Sequence, residues 1–264
     1  MSDAEFHGRA GDGSAGDADY GLIGATYSRY RRPDPRIAHL VWEALGGATT
    51  VLNVGAGAGS YEPTDRDVIA VEPSASMRRQ RPDSLTKAID GVAESLPFPD
   101  KAFDASMATF SVHQWTDLDA GLAEMRRVTR GPVVILTCDP SLLGRFWLTD
   151  YAPDVIATEK RRYPAISRLT KHLGGTASVD PVPISLDCSD GFNEAYYGRP
   201  EYLLEAEARA ACSAWSFISE STVAAYERAL SRALDSGQWD AEHGTLRRQP
   251  VFSGSLVLIT AASG

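Results

Sequence analysis

Apolar residues follow two rhythms along this chain, short continuous runs and helically spaced sets, and the two alternate. The runs at 51–54, 67–72, 103–109 and 132–138 have the length and β-branched content of buried strands. Another strand is expected around 87–90, and 182–187 and 255–260 supply two more. Between these runs, Ile37, Leu40, Val41, Ala44 and Leu45 repeat at helical spacing behind Asp34 and Pro35, an N-cap and first-turn pair, and Gly46-Gly47 closes the helix. Asp117 is placed to cap a second helix that carries Leu118, Leu122, Met125 and Val128 on one face. Strands alternating with helices predict an α/β fold whose sheet is covered on both faces.

The first strand breaks into glycines, Val51-Leu52-Asn53-Val54-Gly55-Ala56-Gly57-Ala58-Gly59, and the second ends in the carboxylate of Glu72. That layout holds an adenosine-containing cofactor at strand ends. A dinucleotide fingerprint would place its third glycine at position 60, where the chain has Ser60. Glycine lets the backbone turn sharply and lets a ligand lie against the main chain. The stretch 60–66 is too short and turn-rich for the usual crossover helix, so an irregular or single-turn crossover is expected.

Length and composition bound the class. With 264 residues, 43% hydrophobic content and no apolar run near the roughly 20 residues that span a bilayer, a soluble chain with a sizeable core is expected, and no membrane partner. The net charge of −9 repels phosphate backbones, which argues against nucleic acid as a partner. The 3 cysteines, Cys138, Cys188 and Cys212, lack Cys-x-x-Cys spacing and suit small buried hydrophobes in a reducing, cytoplasmic setting. Residues 1–19 carry no signal or transit pattern, and their Gly, Asp and Ala content reads as a disordered tail. No His, Cys and Asp spacing suggests a metal.

The alternation of Gly55, Gly57 and Gly59 resembles the first motif of class I S-adenosylmethionine-dependent methyltransferases. Further motifs follow in order: Ala93-Glu94-Ser95-Leu96-Pro97-Phe98-Pro99-Asp100 with Ala102-Phe103-Asp104, then Thr109-Phe110-Ser111-Val112-His113-Gln114-Trp115, then Glu124-Met125-Arg126-Arg127-Val128. The resemblance runs from about Tyr27 to Pro140 plus the last strand, and is to the broad type 11 family of small-molecule methyltransferases. It implies a Rossmann-like, seven-stranded, mostly parallel sheet with an antiparallel last strand, helices on both faces and helical lid insertions. It also implies one domain over 20–264, with a cofactor-binding core at about 34–140, 182–188 and 254–262 and lid segments at about 20–33, 141–181 and 189–253.

Carried over residue by residue, the resemblance assigns S-adenosylmethionine to Asn53, Gly55, Ala56, Gly57, Gly59, Glu72, Pro73, Met77, Ala93, Glu94 and Thr109. Glu72 would accept hydrogen bonds from both ribose hydroxyls, Met77 would cover an adenine face, and Ala93 and Glu94 would sit at the adenine edge. The family often carries an acid before that alanine, where this chain has Val92, and an aspartate where it has Asn53. The segment 27–33 resembles the family's N-terminal cover: Arg32, with Arg31 second, would meet the cofactor carboxylate, and Tyr27 and Tyr30 would close over it.

The long insertions hold many rings, of which Trp147, Tyr196 and Tyr197 flank strand ends and are expected to touch a small organic acceptor, aromatic or natural-product-like, with a place in secondary metabolism. Because alignment alone can contribute about 7–11 kcal/mol and a general base about 10²–10⁴-fold, positioning is the leading effect. His113 is the candidate base, with Tyr27, Asp187 and His243 behind it. A monomer or homodimer is expected. Two other readings stay open: S-adenosylmethionine binding with a different chemistry, such as cyclisation or decarboxylation, and a non-catalytic accessory protein.

Overall fold

Asp34 sets the first helix. Its carboxylate accepts from the Arg36 N–H at 3.0 Å and Pro35 occupies the first turn of α1 (Pro35–Ala44), which buries Ile37, Ala38 and Val41. The computed structural model describes residues 29–174 and 176–262, so the expected tail and Tyr27 lie outside the described residues.

Four parallel strands follow in order of pairing as β2 (Asp67–Val71), β1 (Thr50–Val54), β3 (Ala105–Thr109) and β4 (Val133–Cys138). Beyond β4, the last strand β8 (Leu256–Ala261) inserts antiparallel between β4 and β5 (Ala177–Pro181), which makes six strands in all. Side chains alternate across this sheet. Val134, Leu136 and Cys138 of β4 join α1 on one face, while Val133 and Ile135 join α3 (Leu118–Val128) and α6 (Ile166–Leu173) on the other. Helices therefore cover both faces, as expected. No helix bridges 60–66, and α2 (Ala75–Arg79) follows β2 instead.

Two of the seven expected strands are not strands of the main sheet. At 87–90 only Ile89 pairs, in a single bridge to Val71, because Asp90 and Gly91 turn the chain away after two ladder bonds. The edge strand beside β8 is 177–181, a polar and mostly exposed segment; Val182 donates one more bond to Leu256, and Pro183, which lacks an N–H, ends the pairing. Ile184–Ser185 (β6) pairs with Val251–Phe252 (β7) in a separate ribbon.

The insertions fold onto the α1 face. α4 (Leu148–Tyr151) and α5 (Pro153–Arg162) precede α6, and a series of 3-10 turns with α7 (Ala206–Ala210), α8 (Glu220–Asp235) and α9 (Gln238–His243) fills the stretch before β7. Apart from α6, whose Leu169 and Leu173 pack on the opposite face of the sheet, their apolar residues share one buried cluster with α1.

Candidate functional site

The chain reverses its direction across the sheet between β1 and β3, and the C-terminal ends of those strands open a crevice. Gly55, Gly57 and Gly59 stand there at φ +67°, +53° and +94°, a region that favours glycine. A Cβ at Gly55 would lie 2.7 Å from the Ser111 Cβ, and one at Gly59 would lie 2.3 Å from a Leu85 methyl. Alternating glycines thus answer to two neighbours, with Gly55 under β3's end and Gly59 against the chain behind it.

The resulting cavity is lined by Gly55, Ala56, Gly57, Glu72, Pro73, Met77, Ala93, Glu94 and Thr109 among the expected residues. Glu72 is buried. One carboxylate oxygen accepts from the Gly57 N–H at 2.7 Å and the other from the Ser74 N–H at 2.8 Å, so the acid ties the glycine loop to the start of α2. Burial pushes its carboxyl up, and the two backbone bonds oppose that. Glu94 accepts from the Asp117 N–H at 3.0 Å. The cavity is completed by Ser74, Val92, Phe110, Ser111, Gln114 and Trp115, which no role had been assigned to. The Trp115 Nε1–H is buried with no hydrogen-bond partner among the described residues, a donor pointed to by the strand-end motif that contains it.

Asn53 lies beneath this cavity and does not line it. Its amide donates to Glu62 at 2.9 Å, and Glu62 is held by both guanidinium nitrogens of Arg81 at 2.9 and 2.8 Å, all buried.

The N-terminal cover is arranged differently from expectation. Arg32 is exposed, whereas Arg31 chelates Asp190, at 2.5 and 3.4 Å, and lies over the Phe110 ring at 4.9 Å. Backbone pairing of Arg31 with Asp190 decides which of the adjacent arginines turns inward. The Tyr30 hydroxyl turns outward instead, donating to Glu205 at 2.9 Å, and that bond holds its pKa above the ordinary value. Tyr61, also bonded to Asp190 at 2.6 Å, and Phe110 both hold positive φ, +65° and +51°. Such strain costs on the order of 1–3 kcal/mol and persists where surroundings impose it.

Phe110 is shared with a second cavity, lined also by Arg31, His113, Glu159, Arg162, Tyr163, Phe192 and Asn193. His113 packs on Tyr163 at 4.5 Å between ring centroids. Burial first, then the charges of Arg162 and Arg31, push its pKa well below the ordinary value, so the ring is neutral at pH 7 and a weak proton acceptor. The expected acceptor-facing rings line neither cavity. Trp147 is buried with its indole N–H on the Tyr197 carbonyl at 3.0 Å and its ring edge-on to Trp239, Tyr197 donates to the Gln249 carbonyl at 2.6 Å, and Tyr196 is buried against Tyr202. These rings build the lid's own core. Asp187 and His243 are likewise remote, bridged to Arg36 and Asp150. Among the described residues no group of His, Cys, Asp and Glu is arranged to hold a metal, and Cys138, Cys188 and Cys212 are free and buried.

Known proteins resemble this chain in sequence and in fold. Residues 52–136 match the family model described as Methyltransferase domain. The demethylmenaquinone methyltransferase of Renibacterium salmoninarum is 35% identical over 123 residues, covering 42% of this chain and 51% of that protein. A ubiquinone/menaquinone biosynthesis C-methyltransferase of Burkholderia cenocepacia is 34% identical over 121 residues, 37% of this chain and 49% of that one. The chain thus spans about half the length of these curated relatives. A crystal structure from Anabaena variabilis, described as a methyltransferase from an antibiotic biosynthesis pathway, superposes with a TM-score of 0.82 at 29% identity, over 89% of this chain and 99% of that one.

Proposed function

We propose, from the premise that this chain is a class I S-adenosylmethionine-dependent methyltransferase, that it methylates a small organic acceptor held in the cavity beyond Phe110. The observation that carries the reading is the pair of adjoining cavities with Phe110 as their common wall. In-line transfer requires donor and acceptor to meet across one short gap.

The residues present fit the cofactor. Left-handed glycines keep open a wall that a Cβ would fill at Gly55, Glu72 offers two acceptor oxygens to a ribose, and the buried Trp115 N–H has no hydrogen-bond partner among the described residues. Met77 and Pro73 would flank the adenine, Ala93 and Glu94 its edge, and Arg31 replaces Arg32 as the cation for the carboxylate end. When bound, S-adenosylmethionine supplies an electrophilic methyl group on a cationic sulfur. The chain's part is to orient that sulfur toward the second cavity and to exclude water between them. The rings of that cavity and the antibiotic-pathway relative support an aromatic or natural-product acceptor and a place in secondary metabolism. Buried, unpaired cysteines support a reducing compartment, and no described helix is long and apolar enough to cross a membrane.

Titration calorimetry tests the cofactor assignment: S-adenosylmethionine and S-adenosylhomocysteine bind, while NAD and ATP do not. Binding of NAD in place of both would overturn it.

A further inference from the structure

The second cavity contains a half-buried acid that no role above uses. Glu159, on α5, lines the cavity, and the Asn193 amide donates to one of its carboxylate oxygens at 2.8 Å. Asn193 is itself oriented, because its carbonyl oxygen accepts from the buried Trp215 indole N–H at 3.0 Å. The chain Trp215, Asn193, Glu159 fixes the carboxylate of this cavity-lining residue. Glu194, the neighbouring buried acid, is arranged for structure instead: the Ser255 N–H and hydroxyl bond both of its oxygens, and it does not line the cavity.

We propose that Glu159 is the group that takes the proton of a hydroxyl or amine acceptor as it is methylated. The inference rests on the methyl-transfer reading. The acceptor's lone pair forms the bond to the methyl carbon, the carbon–sulfur pair stays on the departing neutral sulfur, and the O–H or N–H proton moves to Glu159 and then to solvent. The groups that face Glu159 agree with this use. Burial first, and Glu194 after it, push its carboxyl up to about 7, against the Asn193 bond and the charges of Arg162 and Arg31. A base poised there is matched to work near neutrality. His113, Tyr163, Cys138 and Cys212 also surround it; the first is held neutral with a low pKa, and the other three are held protonated by burial.

The test uses 4-nitrocatechol, whose colour reports loss of a hydroxyl proton, added to protein saturated with S-adenosylhomocysteine at a pH where the free probe is neutral. The wild type is expected to bind it as the coloured anion, Glu159→Gln to bind it colourless, and Glu159→Asp to retain the colour in part. With S-adenosylmethionine, Glu159→Gln is expected to slow probe methylation by about 10²–10⁴-fold and to lose the acid limb near pH 7, with product-cofactor affinity unchanged. Failure of the probe to bind, an identical colour or acid limb in Glu159→Gln, or methylation at a ring carbon overturns the inference. Absence of S-adenosylhomocysteine binding to the wild type would instead overturn the methyltransferase reading beneath it.

Discussion

Single residues at the cofactor cavity are chosen by what lies behind them as much as by the ligand. Asn53 is matched to Glu62: an aspartate there would press a carboxylate against one already buried, while the amide donates to it. Glu72 shows the same double duty. Its oxygens hold the Gly57 and Ser74 N–H groups, so each keeps further lone-pair capacity for a ribose hydroxyl. Glu72→Ala is expected to weaken S-adenosylhomocysteine binding by about 1.5–3 kcal/mol, roughly 10- to 150-fold, in calorimetry. Unchanged affinity in a folded variant would place Glu72 outside the site.

At the scale of elements, α1 depends on a charged cap. Burial raises the pKa of Asp34, but hydrogen bonds from Arg36 and Ser189 outweigh it and hold the carboxyl at about 2. A folded-state pKa below the unfolded value of about 3.9 contributes stability above that value, which is lost as pH falls toward about 2. Asp34→Ala is expected to lower the urea-unfolding free energy by about 0.5–2 kcal/mol at pH 7, with the deficit shrinking in acid; a deficit that does not vary with pH would exclude the ionised cap as its source. The insertions behave as core elements. Trp147, fully engaged with Tyr197 and Trp239, should cost about 3–5 kcal/mol of stability when replaced by alanine and leave cofactor affinity nearly intact. A drop in acceptor binding without a drop in stability would return Trp147 to the pocket.

The whole molecule is organised around one junction. The sheet's strand ends present the cofactor cavity, the insertions fold over the α1 face to form the second, and Phe110, Arg31 and Asp190 join them. The chain as a whole carries a net charge of −9. Duplex RNA is therefore expected not to bind at low salt, where electrostatic attraction is strongest, and a mobility shift there would point to a nucleic-acid substrate.

Strand-length apolar runs were sufficient to locate β1 to β4 and β8, the spaced apolar faces located α1 and α3, and the alternating glycines located the strand-end turn, while the antiparallel setting of the last strand was legible only through the family resemblance. Those features are local: a buried parallel strand is mostly apolar, and a left-handed turn favours glycine. The second cavity was not legible in the same way. Glu159 with Arg162 on α5, Asn193 and Phe110 come from three distant segments, and an acid in a polar helix carries no signal until Asn193 and Trp215 are folded against it. The edge strand at 177–181 was hidden for a related reason, since solvent on its outer side leaves no apolar pattern to read. Which arginine turns inward, and which rings line a pocket and which fill a core, follow from packing between segments far apart in the chain, and only the tertiary structure decides them.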